Sequence, residues 1–145
     1  MKTLLVSAFL LVVSGACTSI NDSATDTALL QLTVNREKWQ SEAIRDYSFD
    51  YDVAAMIQTR PLHIVVRADT VNQVTDRVTG DVLPNAGNPT VDSLFARVSS
   101  LIAHPDNGIR VQYNAALGFP ESITSDSNIP DAGYTITVSN LTQSP

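Results

Sequence analysis

The chain is poor in the residues that most chemistries need. It has one cysteine, two histidines, one tryptophan and nine basic residues against fifteen acidic ones. A lone cysteine excludes an internal disulfide and every Cys-rich zinc arrangement. The seven arginines, at 36, 45, 60, 67, 77, 97 and 110, form no cluster. With a formal charge of −6, that scatter argues against nucleic acid as a partner, because binding to phosphate needs concentrated positive charge. It argues equally against a polybasic membrane patch. There is no G-x-x-x-x-G-K-[ST] loop, no GxGxxG turn and no G-x-S-x-G nucleophile elbow. No cofactor is expected.

What is present begins with an address. Lys2 precedes an apolar stretch, Leu4–Val13, and then the small residues Ser14, Gly15 and Ala16. This is the layout of a secretion signal, and the stretch is too short to span a bilayer as a helix. Cys17 follows at once. A free thiol is awkward in an oxidising compartment, and the difficulty vanishes if the thiol carries lipid. Ser14-Gly15-Ala16-Cys17 resembles a bacterial lipobox, with Ser where Leu is usual. The expectation is a signal over 1–16, lipidation and membrane attachment at Cys17, a polar tether over 17–27 and one domain over 28–145. Thr18, rather than Asp, follows the cysteine. This points to the periplasmic face of an outer membrane where the cell has one.

With 43% apolar and 17% charged residues, the rest has the composition of a folded domain. Leu29, Leu32, Trp39 and Ala43 recur at helical spacing, predicting a helix from Ala28 to about Arg45. Residues 46–53 alternate strictly, with Tyr47, Phe49, Tyr51 and Val53 on one side and Asp46, Ser48, Asp50 and Asp52 on the other. That is a strand with one buried and one wet face. Strands follow at 62–67 and, less cleanly, at 71–78, and then a turn-rich loop through Pro84 and Pro89. Thr90 reads as an N-cap for a helix whose Val91, Leu94, Phe95, Val98, Leu101 and Ile102 share one face. Strands at 109–113, 121–126 and 134–139 complete the order α-β-β-β-α-β-β-β. The expected fold is α+β, with an antiparallel sheet of five to six strands and both helices packed on one face.

Read in order, Trp39, Asp46-Tyr47-Ser48-Phe49, Tyr51, Thr90-Val91-Asp92-Ser93-Leu94-Phe95, Val111-Gln112-Tyr113, Leu117-Gly118-Phe119-Pro120, Asp126 and Asp131 resemble a bacterial family, domain of unknown function (DUF) 6174. The likeness runs from about Trp39 to Leu141. It implies a small secreted protein or lipoprotein and carries no activity with it. Many members have a cysteine pair after the first strand, where this chain reads Ala54-Ala55-Met56-Ile57. Where relatives often read Tyr-Asp-Pro, it has Tyr113-Asn114-Ala115.

Individual polar residues have ordinary explanations. Asp46, Asp50 and Asp52 read as a solvated strand face, since such a face supplies too few of the six to eight oxygens that Ca²⁺ takes. Asp126-Ser127-Asn128 with Asp131 reads as a turn, lacking the glycine and terminal Glu of a calcium loop. His63 lies opposite Leu62 and Ile64, and His104 sits at a helix C-terminus where its charge suits the dipole. Tyr113, Asp126 and Asp131, drawn from three neighbouring segments, are the nominated surface site. The expected function is a non-catalytic envelope module that binds a protein partner or a small ligand. The alternatives are a small-ligand or Ca²⁺-binding lipoprotein with a pocket near Tyr113 and Asp126, and a hydrolase with an unrecognised site.

Overall fold

A computed structural model describes residues 20–57, 59–104, 108–126 and 132–144. The signal, Cys17 and Asp131 lie outside the described residues. The elements are α1 (Ile20–Ser41), β1 (Tyr47–Ala55), β2 (Leu62–Arg67), β3 (Thr70–Asp76), β4 (Val82–Leu83), α2 (Val91–Ile102), β5 (Gly108–Tyr113), β6 (Pro120–Asp126) and β7 (Tyr134–Gln143). The seven strands form one antiparallel sheet in the order β4-β3-β2-β1-β7-β6-β5. The α+β class and the antiparallel pairing match expectation. The additional strand is β4, two residues inside the turn-rich loop that pair with Val74 and Thr75. A strand that short leaves no alternation to detect in sequence.

Period-two alternation divides the sheet into two faces. Tyr47, Phe49, Ile64, Val66, Val74, Ile123, Ile136 and Val138 are buried on one of them, together with Leu32 and Trp39 of α1 and Val91, Leu94, Phe95, Val98 and Ile102 of α2. α2 is the best-signalled helix. Thr90 and Ser93 form a reciprocal capping box at its start, and the Tyr47 hydroxyl accepts the Val91 N–H at 3.0 Å. The helix thereby gains a second cap from the first strand, which fixes its N-terminus over the sheet.

α1 departs from the sequence reading in register and extent. Leu29 is exposed, while Leu32 and Trp39 are buried. The helix ends at Ser41, and Ala43 has left it with φ 50°. It also begins at Ile20, so the described part of the segment read as a tether is helical. A mostly polar helix end leaves no apolar period to read.

The β5–β6 turn clamps α1 to the sheet. Gly118 has φ +82°, and a Cβ there would stand 2.5 Å from the Asn35 carbonyl oxygen and 3.1 Å from Lys38 Cβ. Only glycine meets both demands. The Phe119 ring then packs edge-on against Trp39, centroids 6.2 Å apart, and Trp39 packs edge-on against Tyr47 at 5.4 Å. Asn114 closes the turn, its Oδ1 accepting the backbone N–H groups of Ala116 and Leu117 at 3.0 and 2.7 Å.

Candidate functional site

Among the described residues no helix lies on the second face of the sheet. Its outward positions are nearly all polar: Ser48, Asp50 and Asp52 on β1, His63 on β2, Gln73 and Thr75 on β3, Thr135, Thr137 and Ser139 on β7, Ser122 and Thr124 on β6. Val65, Ala54 and Val82, which pairs with Thr75, are apolar exceptions, and every described aromatic ring of the strands sits at an inward position. Hydroxyl ladders tie neighbouring strands: Ser48 to Thr142 at 3.0 Å and Thr124 to Thr135 at 3.1 Å.

Within this face Asp50 is not solvated as the alternation suggested. It is only 9% exposed. Its Oδ1 accepts from His63 Nδ1 at 2.8 Å and its Oδ2 from Asn140 Nδ2 at 2.8 Å. Arg77 Nε stands 3.5 Å from the same Oδ2, and Arg77 reaches on to Asp52 at 2.8 Å. Burial pushes the Asp50 carboxyl upward, but the bonds from Asn140 and His63 and the charge of Arg77 outweigh it and hold the group below the ordinary carboxylate range.

Each partner arrives by a separate structural device. The β1–β2 hairpin register sets Asp50 directly across from His63. The β1–β7 pairing shifts between Ser48 and Asp50, and Asn140 takes φ 52° at that irregularity. A bulge of this kind redirects a side chain along a strand, here sending the Asn140 amide to Asp50. Arg77 comes from the turn after β3, whose backbone is anchored by Asp76. That buried carboxylate accepts the Val78 and Thr79 N–H groups at 2.8 and 3.2 Å, and those bonds hold it below the usual range.

Asp50 thus fixes the orientation of an imidazole and helps fix a guanidinium, both partly open to solvent at 40% and 36% of their side chains. With Nδ1 directed at Asp50, the other ring nitrogen of His63 is free for a partner. Among the described residues no hydroxyl bonds to His63, and no three His, Cys, Asp or Glu side chains gather as a metal site would need.

Of the nominated residues, Tyr113 and Asp126 are described and stand apart. Tyr113 points inward, stacks on Phe95 with centroids 6.4 Å apart, and is pushed up to about 12 by burial. Asp126 lies at the opposite end of the same hairpin, paired with Gly108 while Tyr113 pairs with Pro120. Five residues of strand place them roughly 17 Å apart. Asp126 is exposed and bound to Arg110 at 3.0 Å. Tyr113 borders a cavity of about 120 Å³ with Ala28, Gln31, Ile102, Ile109 and Val111, well below the roughly 300–1,000 Å³ of most ligand pockets. A shallow hollow of about 350 Å³ at the other end is edged by Asp126, Tyr134 and Thr135.

Residues 31–143 match the family described as "Family of unknown function (DUF6174)". The chain belongs to this family. No curated protein and no solved structure matches it. In this DUF6174 domain the Gly118-Phe119-Pro120 turn and Trp39 of the sequence pattern are packing partners. Asp126 stands apart from the Asp50 cluster. The residues that sequence reasoning missed, Asp50, His63, Arg77 and Asn140, left one signal: Asp50 and His63 both fall at outward positions of consecutive strands.

Proposed function

We propose that this protein is exported, held in the bacterial cell envelope by lipid on Cys17, and acts as a non-catalytic binding module for a partner protein. The open polar face of the sheet is its recognition surface. An outer-membrane attachment facing the periplasm fits Thr18 after the cysteine. The observation that carries the reading is the burial of Asp50 on a face that no described helix covers. Keeping a carboxylate there requires that its partners be built in, and those partners are the groups that meet a ligand.

General acid–base work needs a group whose proton is exchangeable near the working pH. Asp50 has both oxygens engaged and its ionised form favoured, which suits a fixed acceptor instead. His63 and Arg77, already oriented, lose little freedom when they bind. The described part of the face is broad and rich in donors and acceptors, which fits a protein surface better than an enclosed small molecule.

The test is crosslinking in the native cell with mass spectrometry on the full-length protein. The wild type should enrich a defined partner. His63→Ala combined with Arg77→Ala should abolish that enrichment, and Arg36→Ala on α1 should leave it intact. Enrichment unchanged by the double variant would remove the sheet face as the recognition surface. Independently, Cys17→Ser should release the protein from membranes and abolish labelling by an alkyne analogue of palmitate.

A further inference from the structure

The strands define two ends of the domain. Ala55, Leu62, Asp76, Gly108, Asp126 and Tyr134 lie at one, which the 56–61 and 77–81 connections share. The tight turns at 68–69 and 114–119 lie at the other. α1 runs between them. Its Trp39 packs on Tyr47 and Phe119 at the turn end. Its Ala28 borders the same small cavity as Ile102, the last residue of α2, and Ile109 near the start of β5. The N-terminus of α1 therefore points to the loop end. Ile20 lies eight residues before Ala28, roughly 12 Å further along the axis at 1.5 Å per residue. Cys17 precedes Ile20 by three residues, a reach of at most about 11 Å.

The most exposed large apolar side chains gather at this same end. Ile57 is 80% exposed, Val78 78%, Met56 72% and Val82 69%. Ile57 and Met56 follow β1, Val78 sits in the turn after β3, and Val82 pairs with Thr75 beside it. Leu30, also exposed, faces out from the N-terminal half of α1. Arg60, with 70% of its side chain exposed, stands in the same loop as Ile57. Arg60 is ion-paired with Asp76 at 3.9 Å, so the exposed apolar side chains, at the end from which the N-terminal segment leaves the domain, supply the membrane-resting character of this surface.

We propose that the loop end rests on the phospholipid surface into which Cys17 is anchored, with Met56, Ile57 and Val78 among the headgroups. The contact rests on the lipid-anchored reading above and adds an orientation to it. The projecting start of α1 and the two loops are separate points of support, so the domain leans on the bilayer and the sheet face stands across it, open to a partner beside it. A diacylglyceryl anchor on Cys17 would tie the protein down, and a further apolar contact restricts how it turns.

Full-length protein with its native N-terminal processing tests this in vesicles of phosphatidylcholine with phosphatidylglycerol. Single cysteines at Ile57→Cys, Val78→Cys and, as a turn-end control, Ala115→Cys carry an environment-sensitive dye. Emission at 57 and 78 should shift to the blue and be quenched several-fold by spin-labelled lipid, with 115 unaffected. Ile57→Asp in the Val78→Cys protein should reduce the quenching at 78 while palmitate-analogue labelling of Cys17 persists. Equal, weak quenching at all three positions in protein that carries the lipid would overturn the docking and leave the anchor standing. Absence of the lipid, with no vesicle binding, would overturn both.

Discussion

Asn140 Nδ2 lies 2.8 Å from Asp50 Oδ2, across a strand pair whose register slips beside them. The amide reaches the carboxylate only because Asn140 adopts φ 52°, a conformation Asn tolerates better than most residues. Asp50→Ala should therefore cost roughly 1–3 kcal/mol, since it leaves the Asn140 and His63 donors without their acceptor. Urea denaturation at neutral pH measures it.

Acid sensitivity follows from the same carboxylate. Its folded-state value lies below the 3.8 of an unperturbed Asp. The unfolded chain accordingly binds the proton first as pH falls. The stabilisation is present above about pH 4 and is lost as pH drops through the lowered folded value. Asp76 acts in the same direction, through the Val78 and Thr79 N–H groups. The stability gap between wild type and Asp50→Asn should be largest near neutrality and shrink below pH 3.8, as read from denaturation midpoints across that range.

Gly118→Ala should destabilise by roughly 1–3 kcal/mol from backbone conformation alone. The clash with the Asn35 carbonyl adds to that figure. Gly87, which also has positive φ but open space around it, is the comparison: Gly87→Ala should cost clearly less. Equal losses would mean that the α1 contact contributes nothing.

On α2, Phe95→Ala should cost roughly 3–5 kcal/mol, the usual range for deleting a buried aromatic. Arg97 lies over the Tyr134 ring at 4.8 Å and donates to its hydroxyl at 3.1 Å. Arg97→Ala should cost about 0.5–1 kcal/mol, as for an exposed cation–π pair. Thermal or urea melts of the two variants rank them.

Tyr47→Phe isolates the cross-element cap. Burial raises the Tyr47 hydroxyl to about 12, partly offset by the bond from Val91. Removing that oxygen leaves a buried helix-start N–H unpaired, at roughly 1–3 kcal/mol. Amide exchange at Val91 should accelerate relative to Val98, which keeps its bond within the helix.

The sequence made some of this legible. Strict alternation in DYSFDYDV placed Tyr47 and Phe49 inward, and Thr90 with the Leu94-Phe95 pattern located α2 within a residue or two. Periodicity reports which face a residue occupies, not what stands across from it. Asp50 and His63 were assigned to outward faces correctly, yet their pairing depends on hairpin register and Asn140 on a bulge, and neither leaves a periodic trace. Tyr113 and Asp126 belong to adjacent strands, but a hairpin aligns the start of one with the end of the other and so sets these two at opposite ends. The N-terminal part of α1 lacked an apolar stripe altogether and therefore read as a tether.

The sheet face opposite α1 and α2 is the proposed working surface of this DUF6174 protein. A photocrosslinking amino acid placed singly through the full-length protein in its native cell tests it position by position. Thr75 and Thr137 sample the open face, and Arg36 and Val34 sample exposed positions on α1. Crosslinks to one partner protein are expected from Thr75 and Thr137, and none from Arg36 or Val34. Crosslinks to a partner from the α1 positions, with the sheet positions silent, would contradict it.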